Sequence, residues 1–514
     1  MPVLNWIGKE AVINHDKEVP FRLLRKVESV SVGNSKNLIV HGDNLEALKA
    51  LMPYYAGKVK CIYIDPPYNT GNEDWVYNDK VNSPKIKKWL GEVVGRESKD
   101  LCRHDKWLCM MYPRVKMLWD LLSEDGAIFV SIDDVEQSNL RALLDSIFGE
   151  SNFVSNLIWE KNYSPRNDAR YFSASHDFIL VYAKSKEDWS RNLLLRTEKQ
   201  NKYYKFDDND GRGLWRPDNV LVKTFSETGV FGIKNPNTGE IVYPPNGSCY
   251  RFSEDRAAQL LIENKFYFGK DGRGKPQLKR YLSEVKQGVV PQTILKYEDV
   301  GHNQTGKNEL NQLVDMNIFD SPKPVSLIKH ILQIATGKED IVLDSFAGSG
   351  TTGHAVLDLN MEDGGNRKFI LVEMEDKVAK DITAKRVKLA IEKYKYQDGF
   401  EYCELDKPLF DEQGQIEDSC GFSQFATYIY FTETQTNLDL AKVNGNFIGE
   451  YGEKEYYLIY KEKGKNVLNR SFLKKLKKDV NTKVVYADQC ELDAVEMEKL
   501  GIVFKQIPYE VKVY

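Results

Sequence analysis

Four consecutive residues carry the chemistry that could activate an amine: Asp65, Pro66, Pro67 and Tyr68. A carboxylate and a backbone carbonyl can accept the two N–H hydrogens of an exocyclic amine, and a tyrosine ring can stack on the heterocycle that bears it. The two prolines would stiffen the turn, since each fixes φ and removes a donor. Because Asp and Pro are also common where a strand ends in a turn, these residues alone leave both readings open.

A glycine-rich loop far downstream predicts a cradle for a nucleoside cofactor. Gly348, Gly350 and Gly353 fit the spacing G-x-G-x-x-G after a short apolar run, and a helical pattern follows. Glu373 ends the next apolar run, about 20 residues on, where an acid can hold ribose hydroxyls. His354 stands where a phosphate-binding P-loop requires Lys. The spacing suits a nicotinamide dinucleotide as well as S-adenosylmethionine, and a turn that only packs a helix on a sheet stays open.

Short apolar runs that alternate with helical patterns predict a doubly wound α/β sheet to position these loops. Predicted strands lie at residues 38–41, 59–64, 127–132, 156–159, 177–183, 341–344 and 368–372, and predicted helices at 45–52, 105–122 and 135–147. We expect the strand at 341–344 to lie beside the strand at 59–64. Their loops would then meet at the switch point where such folds bind ligands.

The composition divides the chain into four predicted segments. Residues 1–183 would form the catalytic half of the sheet, and residues 321–397 the cofactor-binding half. Residues 184–320, irregular and rich in Asn, Gly, Pro and aromatics, predict an inserted recognition domain. Residues 398–514 predict a small α/β domain, with strands at 425–431, 456–460, 483–487 and 502–508.

Together these motifs resemble those of the amino-methyltransferases of DNA. DPPYNTG at residues 65–71 resembles the catalytic motif, and DSFAGSGTTGHA at 344–355 resembles the cofactor loop. KPVSLIKHIL at 323–332 resembles the helix that closes over the cofactor, and HGDNLEAL at 41–48 the strand end that contacts its adenine. The catalytic motif precedes the cofactor loop, which is the permuted order of the β class. Matches at 105–122, 283–294 and 362–375 resemble the methylation subunit of type III restriction-modification systems.

The resemblance implies a circularly permuted, Rossmann-like methyltransferase with an inserted DNA-recognition domain and a small C-terminal domain. It implies methyl transfer from S-adenosylmethionine to the 6-amino group of an adenine turned out of duplex DNA. The residues implied to bind the cofactor are Asp43, Lys323, Pro324, Asp344, Phe346, Ala347, Gly348, Gly350, Thr351 and Glu373. Two alternatives stay open, because Asp43 could simply cap a helix and Lys323 could be a surface residue.

The predicted contacts to the base or to DNA are Asn69, Tyr163, Arg166, Lys275 and Arg280. The net charge of −4 argues against a nucleic-acid partner, but its distribution matters more than its sum. Residues 151–300 contain 24 Lys and Arg against 19 Asp and Glu. This excess suits DNA contact, although a solvated charged face is an equal alternative.

The polar connection at residues 69–103 is a second candidate contact to the base. It carries Trp75, Tyr77 and Trp89 and could close over an extruded base, or it could be a flexible loop.

The remaining features narrow the class of protein. No apolar run reaches the length of a membrane span, and residues 1–18 do not read as a signal peptide. Seven cysteines without C-x-x-C pairs argue against disulfides and structural metal, so we expect a cytoplasmic protein without a metal.

The family implies a homodimer and a separate helicase-nuclease subunit for restriction. Three other functions stay open: methylation of the cytosine 4-amino group, a nicotinamide-dependent oxidoreductase, and a non-catalytic DNA-binding subunit.

Overall fold

The computed structural model describes residues 4–70, 88, 91–92, 94–95, 102–165, 167–196, 198–285, 288–314, 319–411, 414–461, 466–477 and 481–507. Trp75, Tyr77, Trp89 and Arg166, singled out above, lie outside these ranges. The chain forms two compact units, the inserted unit Leu193–Pro291 and a larger unit made of everything else. The inserted unit is shorter than the predicted recognition segment 184–320 at both ends.

The first part of the larger unit alternates strands and helices as the sequence predicts. Its strands are β1 Arg22–Lys26, β2 Leu38–His41, β3 Val59–Ile64, β4 Leu122–Ile132, β5 Phe153–Glu160 and β6 His176–Ala183. Its helices are α1 Lys9–Val12, α2 His15–Glu18, α3 Asn44–Tyr55, α4 Arg103–Leu121 and α5 Gln137–Phe148. Strands β5 and β6 pair antiparallel, which confirms the predicted hairpin.

The inserted unit is built from short elements around one small apolar cluster. Its strands are β7 Trp215–Asp218, β8 Leu221–Val222, β9 Ile233–Lys234, β10 Ile241–Val242, β11 Cys249–Tyr250, β12 Phe266–Tyr267 and β13 Gln277–Tyr281. Its helices are α6 Glu198–Asn201 and α7 Glu254–Ile262.

The rest of the chain returns to the larger unit. Its strands are β14 Ile294–Leu295, β15 Ile341–Asp344, β16 Lys368–Glu373, β17 Glu401–Pro408, β18 Phe447–Tyr451, β19 Lys454–Leu458, β20 Val467–Leu468, β21 Thr482–Ala487, β22 Gln489–Cys490 and β23 Ile502–Gln506. Its helices are α8 Tyr297–Val300, α9 Asn303–Asn311, α10 Val325–Ala335, α11 Thr351–Asp363, α12 Asp376–Val378, α13 Lys385–Tyr394, α14 Phe422–Thr434, α15 Arg470–Leu473 and α16 Ala494–Lys499. A π-helical stretch, Ala379–Ala384, joins α12 to α13.

A ten-stranded sheet organises the larger unit in the order β1-β17-β2-β16-β15-β3-β4-β6-β5-β14. The neighbours from β17 to β4 run parallel, whereas β6 is antiparallel to both of its neighbours. Strand β15 lies directly beside β3, with Leu343 opposite Ile62, although the two are far apart in the sequence. The predicted permuted and doubly wound order is confirmed.

Both faces of the sheet are buried, as parallel strands require. Val40, Ile62 and Val130 point to the face covered by α3, α4 and α5. Their chain neighbours Ile39 and Tyr63 point to the opposite face, covered by α10, α11 and α13. Successive side chains therefore hold the strands from two sides and fix where each strand ends.

One predicted strand is wrong. Residues 425–431, rich in aromatic and β-branched types, form most of helix α14 instead. Phe425, Tyr428, Ile429 and Phe431 are all buried, so packing against several neighbours outweighs strand propensity. The other three predicted C-terminal strands correspond to β19, β21 and β23, which form a four-stranded sheet with β18.

No helix among the described residues combines the length and the apolar character that crossing a bilayer takes.

Candidate active site

A cavity of about 640 Å³ opens where β3 and β15 end. Asp65, Pro66 and Tyr68, which follow β3, line it on one side. Phe346 and Gly348, from the loop after β15, line it on another. Because β3 and β15 are parallel neighbours, both loops leave the sheet at the same edge. The expectation that the Asp65 motif and the glycine loop share one crevice is confirmed.

Both carboxylate oxygens of Asp65 have hydrogen-bond donors. The Tyr68 hydroxyl donates to Oδ1 at 2.8 Å, and the Lys323 ammonium donates to Oδ2 at 2.5 Å. Burial, together with the negative charge of Asp65, raises the pKa of Tyr68 well above its usual value. The hydroxyl therefore stays protonated and orients the carboxylate.

Pro67 anchors the motif to the helix behind it. Its carbonyl accepts a hydrogen bond of 2.6 Å from Nε1 of Trp107, a fully buried residue of α4. Pro66 lines the cavity and Pro67 does not. Of the two prolines, Pro66 is the one whose position suits contact with a ligand, and Pro67 holds the turn in place.

Asn69 turns inward instead of facing the cavity. It has a φ of 61° and is fully buried, and its amide donates to Glu136 Oε1 and to the Arg103 carbonyl. His104 Nδ1 lies 2.6 Å from the same oxygen of Glu136. The predicted contact of Asn69 with the base has no support in this geometry, because Glu136 holds the amide beneath the motif. The sequence offered no signal for Glu136, which precedes α5.

Asp344 organises the glycine loop from the end of β15. Its oxygens accept hydrogen bonds from the Phe346 N–H at 3.0 Å and the Thr352 hydroxyl at 2.5 Å. Burial raises the pKa of Asp344 to about 7, although both hydrogen bonds oppose the rise. Asp344 and Thr351 also line the cavity, as predicted.

Two glycines allow the loop to bend tightly. Gly348 has a φ of +49°, and a Cβ there would lie 2.8 Å from the Phe319 ring. Gly350 has a φ of +75°, and its Cβ would meet the Thr383 carbonyl at 3.0 Å. Only glycine adopts this path without strain. Gly350 does not itself line the cavity.

Helix α13 and the turn before it brace the loop from behind. Arg386 is fully buried and donates from Nη1 to the hydroxyls of Ser349 at 3.0 Å and Thr351 at 2.7 Å. Burial lowers its pKa to about 10. The Thr383 hydroxyl donates to the Gly348 carbonyl at 2.6 Å. Sequence reasoning missed both residues, which lie more than 30 positions beyond the loop they hold.

Glu373 ends β16, and Asp43 lies just beyond the end of β2, the parallel neighbour of that strand. The Glu373 carboxylate is fully buried and accepts the N–H groups of Gly348 at 2.9 Å and Glu375 at 3.0 Å. Asp43 caps α3 through the Leu45 N–H, which is the alternative that the sequence left open. Neither residue lines the cavity, so their contacts with ribose and adenine stay predictions.

Lys323 belongs to the site and is not a surface residue. Its side chain is 8% exposed, and its ammonium lies 5.2 Å from the centre of the Tyr68 ring. Its carbonyl accepts a hydrogen bond of 3.1 Å from the Thr351 hydroxyl. Lys323 therefore links the catalytic motif to the glycine loop. Pro324, the N-cap residue of α10, does not line the cavity.

A second ion pair, which sequence reasoning missed, lines the cavity near the Asp65 motif. The Lys161 ammonium donates to Asp177 Oδ1 at 2.6 Å. Burial raises the pKa of Asp177, and the charges of Lys161 and Lys323 act against that rise. The two residues stand on either side of the β5–β6 connection, so only the hairpin brings them together.

The predicted DNA contacts fall in different places. Tyr163 is 64% exposed and packs against the rings of Tyr297 and His302. Arg166 lies outside the described residues. In the inserted unit, Lys275 is exposed, and Arg280 is exposed but lies 3.3 Å from Asp218.

Comparisons with known proteins agree with this site. A model of the DNA methylase family matches residues 59–385. The type III restriction-modification enzyme StyLTI Mod subunit of Salmonella typhimurium is 38% identical over 367 residues, 69% of this chain and 54% of that protein. The EcoP15I Mod subunit of Escherichia coli is 34% identical over 424 residues, 73% of this chain and 64% of that protein. The chain thus spans about half to two thirds of the length of these curated relatives.

Among solved structures, the PvuII DNA methyltransferase (cytosine-N4-specific) overlaps 71% of this chain and 95% of its own, at 12% identity and a TM-score of 0.35. An overlap of that quality assigns neither fold nor activity, so the family match and the strand order carry the assignment. The chain belongs to the DNA methylase family.

Proposed function

We propose that the protein transfers a methyl group from S-adenosylmethionine to the exocyclic 6-amino group of adenine in duplex DNA. The observation that carries the proposal is the single cavity lined by Asp65, Tyr68 and the glycine loop. One wall suits a nucleoside cofactor and the other suits a planar base with an amine. The family match and the names of the two Mod relatives support the same activity.

The residues present fit this cofactor. The cavity volume of about 640 Å³ lies in the usual range of small-molecule sites. A Cβ at Gly348 would lie 2.8 Å from the ring of Phe319, which also lines the cavity, so the absence of a side chain there keeps space for a ligand. Five carboxylates and two lysines line the cavity: Asp65, Asp133, Asp177, Asp320, Asp344, Lys161 and Lys323. This excess of negative charge suits a sulfonium and an amine and disfavours the diphosphate of a nicotinamide dinucleotide, which is the rival oxidoreductase reading.

The cofactor, when bound, supplies an electrophilic methyl group on a sulfonium centre. Phe346, Ala347 and Gly348 would hold it at the loop. Lys323 and Pro324 would flank its methionine end. Asp43 and Glu373 remain the predicted partners of its adenine and ribose.

Asp65 and the Pro66 carbonyl activate the target amine in this proposal. The lone pair of a ring amine is conjugated with the heterocycle, which makes the nitrogen a poor nucleophile. Accepting both N–H hydrogens favours tetrahedral geometry and frees the lone pair, and the Asp65 charge stabilises the positive charge that develops on nitrogen. The Tyr68 ring stacks on the base and fixes its orientation. Asp65 is also placed to receive the proton that the nitrogen releases after transfer.

Lys323 need not leave for the amine to bind. Each carboxylate oxygen has two lone pairs, so Asp65 can keep Lys323 and Tyr68 and still accept an N–H from the base. The ammonium instead fixes the orientation of the carboxylate through its hydrogen bond to Oδ2, and its charge opposes the raised pKa of the neighbouring Asp177 and Asp344. We infer that Lys323 is a positioning residue for the catalytic carboxylate.

Within its organism, the protein would act as the modification subunit of a type III restriction-modification system. The likeness to the StyLTI and EcoP15I Mod subunits supports this role. We propose a cytoplasmic homodimer that binds duplex DNA, with the inserted unit as its recognition domain. Restriction would need a separate helicase-nuclease subunit. Copurification with such a subunit, and the mass of the purified protein in solution, test these two assemblies.

Incubation with duplex DNA of mixed sequence and cofactor labelled in its methyl group tests the proposed activity. We expect label in the DNA, and digestion to nucleosides should give N6-methyl-2′-deoxyadenosine. Label in a cytosine nucleoside would select the 4-amino alternative. Cofactor binding without any label in DNA would contradict both, and would favour the non-catalytic DNA-binding reading.

A further inference from the structure

We propose that the loop between β5 and β6 carries an aromatic wedge, Tyr171 and Phe172, which enters the stack of duplex DNA where the target base leaves it. The inference rests on the proposed function, since a wedge matters only if a base must be turned out. It assigns these two residues to the contact with DNA and to base extrusion, not to the transfer step.

The exposure of the two rings is the first observation. Phe172 is 95% exposed and Tyr171 is 78% exposed, and they are consecutive. Single exposed apolar residues are ordinary, but two adjacent aromatic rings on one loop are apolar surface that a partner can bury. Their neighbours Ser173 and Arg170 are polar, so the rings do not extend a buried cluster.

The loop begins and ends at the wall of the cavity. The backbone N–H groups of Lys161 and Asn162 both donate to the Ser175 carbonyl, at 2.9 and 3.2 Å, which closes the neck of the loop. Lys161, just at the neck, and Asp177, just beyond it, line the cavity. The exposed rings therefore project from the segment that borders the site of the extruded base.

A fixed aromatic stack lies beside the same neck. Tyr163 packs 5.6 Å from Tyr297 and 5.7 Å from His302, and the last two rings stack at 5.8 Å. The N–H of Asn303, a cavity residue, donates to the Lys161 carbonyl at 3.1 Å. Three rings are thus anchored at the rim, and two rings farther along the loop are exposed. Aromatic faces of this kind stack on any base, whatever the sequence.

Charge near the tip suits a phosphate backbone. The Arg170 guanidinium lies 5.2 Å from the centre of the Tyr171 ring. A cation beside an exposed ring can bind phosphate while the ring enters the duplex. Duplex DNA is therefore the occupant that this surface fits.

The wedge would act on the free energy of base extrusion. Turning a base out removes its stacking and leaves a gap, and an apolar side chain inserted at that step replaces part of the lost contact. Without the wedge, the base would return to the stack more often. Removing the wedge should therefore lower the rate of methyl transfer most for a paired base and least for a mismatched base, whose extrusion costs less free energy.

Methyl transfer to two matched duplexes tests the wedge. Both carry the sequence that the wild-type protein methylates, one with the target base paired and one with it mismatched. We expect Tyr171→Ala/Phe172→Ala to lower the rate on the paired duplex by about tenfold or more, and to stay within about threefold of wild type on the mismatched duplex. Tyr451→Ala, which removes a ring that is 52% exposed in the C-terminal region, should behave as wild type on both.

A fluorescence measurement separates extrusion from transfer. With 2-aminopurine at the target position, wild type should increase the fluorescence on binding, and the double variant should bind with a smaller increase. Tyr171→Ala/Phe172→Trp should restore most of the signal, because one large ring fills the gap again. An equal fall in the transfer rate of the double variant on the paired and the mismatched duplex, or no fall on either, would overturn the proposed wedge. Wild-type protein that methylates neither duplex would instead contradict the proposed function.

Discussion

The wall of the cavity and the inserted unit Leu193–Pro291 differ in how deeply their strands are buried and in how their core is built. The cavity lies at the end of a sheet buried on both faces, and its charges are held in pairs such as Asp65 with Lys323 and Asp177 with Lys161. In the described part of the inserted unit, five of seven strands are two residues long, and one small cluster forms the core. Methyl transfer depends on the exact placement of an amine, so it needs a rigid site on a well-buried sheet. DNA recognition can be carried by surface loops on a small core.

The charged side chains of the inserted unit show the same contrast. Lys279 and Lys265 are paired with acids, Lys279 with Asp208 at 2.7 Å. Lys270, Arg273 and Lys275 are exposed. These basic side chains are thus partly members of a structural ion-pair network and partly an exposed surface. If the two regions divide the work, changes in the cavity should alter transfer without altering DNA affinity, and changes on that surface should do the reverse.

Among changes outside the catalytic motif, the largest effect should come from filling the glycine loop. Gly348→Ala adds a Cβ 2.8 Å from the Phe319 ring at a φ of +49°, so affinity for S-adenosylmethionine should fall by about 100-fold. DNA affinity should stay unchanged. Gly364→Ala is the matched control, because its φ is +67° but nothing lies within 4 Å of the new Cβ. Calorimetric titration measures the affinity of each variant for the cofactor and for DNA. Equal cofactor affinities of Gly348→Ala and Gly364→Ala would contradict the role of the loop.

Removing the ammonium beside Asp65 should come next. Lys323→Met leaves the half-buried carboxylate of Asp65 without its charged partner, and transfer should fall by about 10- to 100-fold. Lys323 also opposes the raised pKa of Asp177 and of Asp344, so both should rise further in the variant. NMR titration of these two carboxyls should show both pKa values moved to higher pH. Lys329→Met, on the helix α10 that follows Lys323, is the control, because it pairs with Asp358 and Glu362 outside the cavity. Unchanged pKa values of Asp177 and Asp344 would contradict the electrostatic role of Lys323.

Asp344 should make the free energy of unfolding fall as pH rises. Its pKa is about 7 in the folded protein against 3.8 for the free group, so between those values the folded state holds a proton that the unfolded chain releases. Stability is lost across that window at up to about 1.4 kcal/mol per pH unit. Asp344→Asn should flatten the decline and raise stability at pH 7, measured by urea unfolding.

Asp125 provides a control of opposite sign. A hydrogen bond from Lys60 lowers its pKa, so the charged form stabilises the fold above the usual range of an aspartate and the contribution fades on acidification. Asp125→Asn should lower stability at neutral pH by less than about 1 kcal/mol, because the pair is partly exposed. An Asp344 variant with the slope of wild type would contradict the buried, proton-holding carboxyl.

The smallest effect should come from single charges on the inserted unit. Lys275→Ala should weaken DNA binding a few-fold and reduce the salt slope by about one, with transfer at saturating DNA unchanged. Arg280→Ala should do less, because Arg280 is already 3.3 Å from Asp218. Fluorescence anisotropy at several salt concentrations distinguishes them. Equal slopes for both variants and wild type would place DNA recognition elsewhere.

The sequence predicted the parts of the site that follow from local pattern and strand order. Asp65 comes directly after one apolar run and Gly348 lies in the loop that follows another, and parallel pairing brings the ends of such runs to one edge. It could not predict partners that only tertiary packing creates. Arg386 braces the loop from a later helix, and Lys161 meets Asp177 only because the hairpin closes.

One wrong strand prediction and one predicted contact without support in the geometry show where local pattern misleads. Helix α14 has strand-like composition, but its burial on several sides selects a helix. Asn69 follows the catalytic motif and was expected at the base, yet Glu136 draws its amide inward. In both places a contact far away in sequence outweighed the local signal.

Single-turnover methyl transfer by wild type and Asp65→Ala, with cofactor affinity measured on the same samples, tests the central claim most directly. The account predicts that the variant binds S-adenosylmethionine within about twofold of wild type and transfers at least about 1,000-fold more slowly, because the amine loses its charged acceptor. Asp439→Ala, an exposed aspartate of the C-terminal region, should match wild type in both. Transfer at the wild-type rate by the Asp65 variant would contradict the assignment of this cavity as the active site.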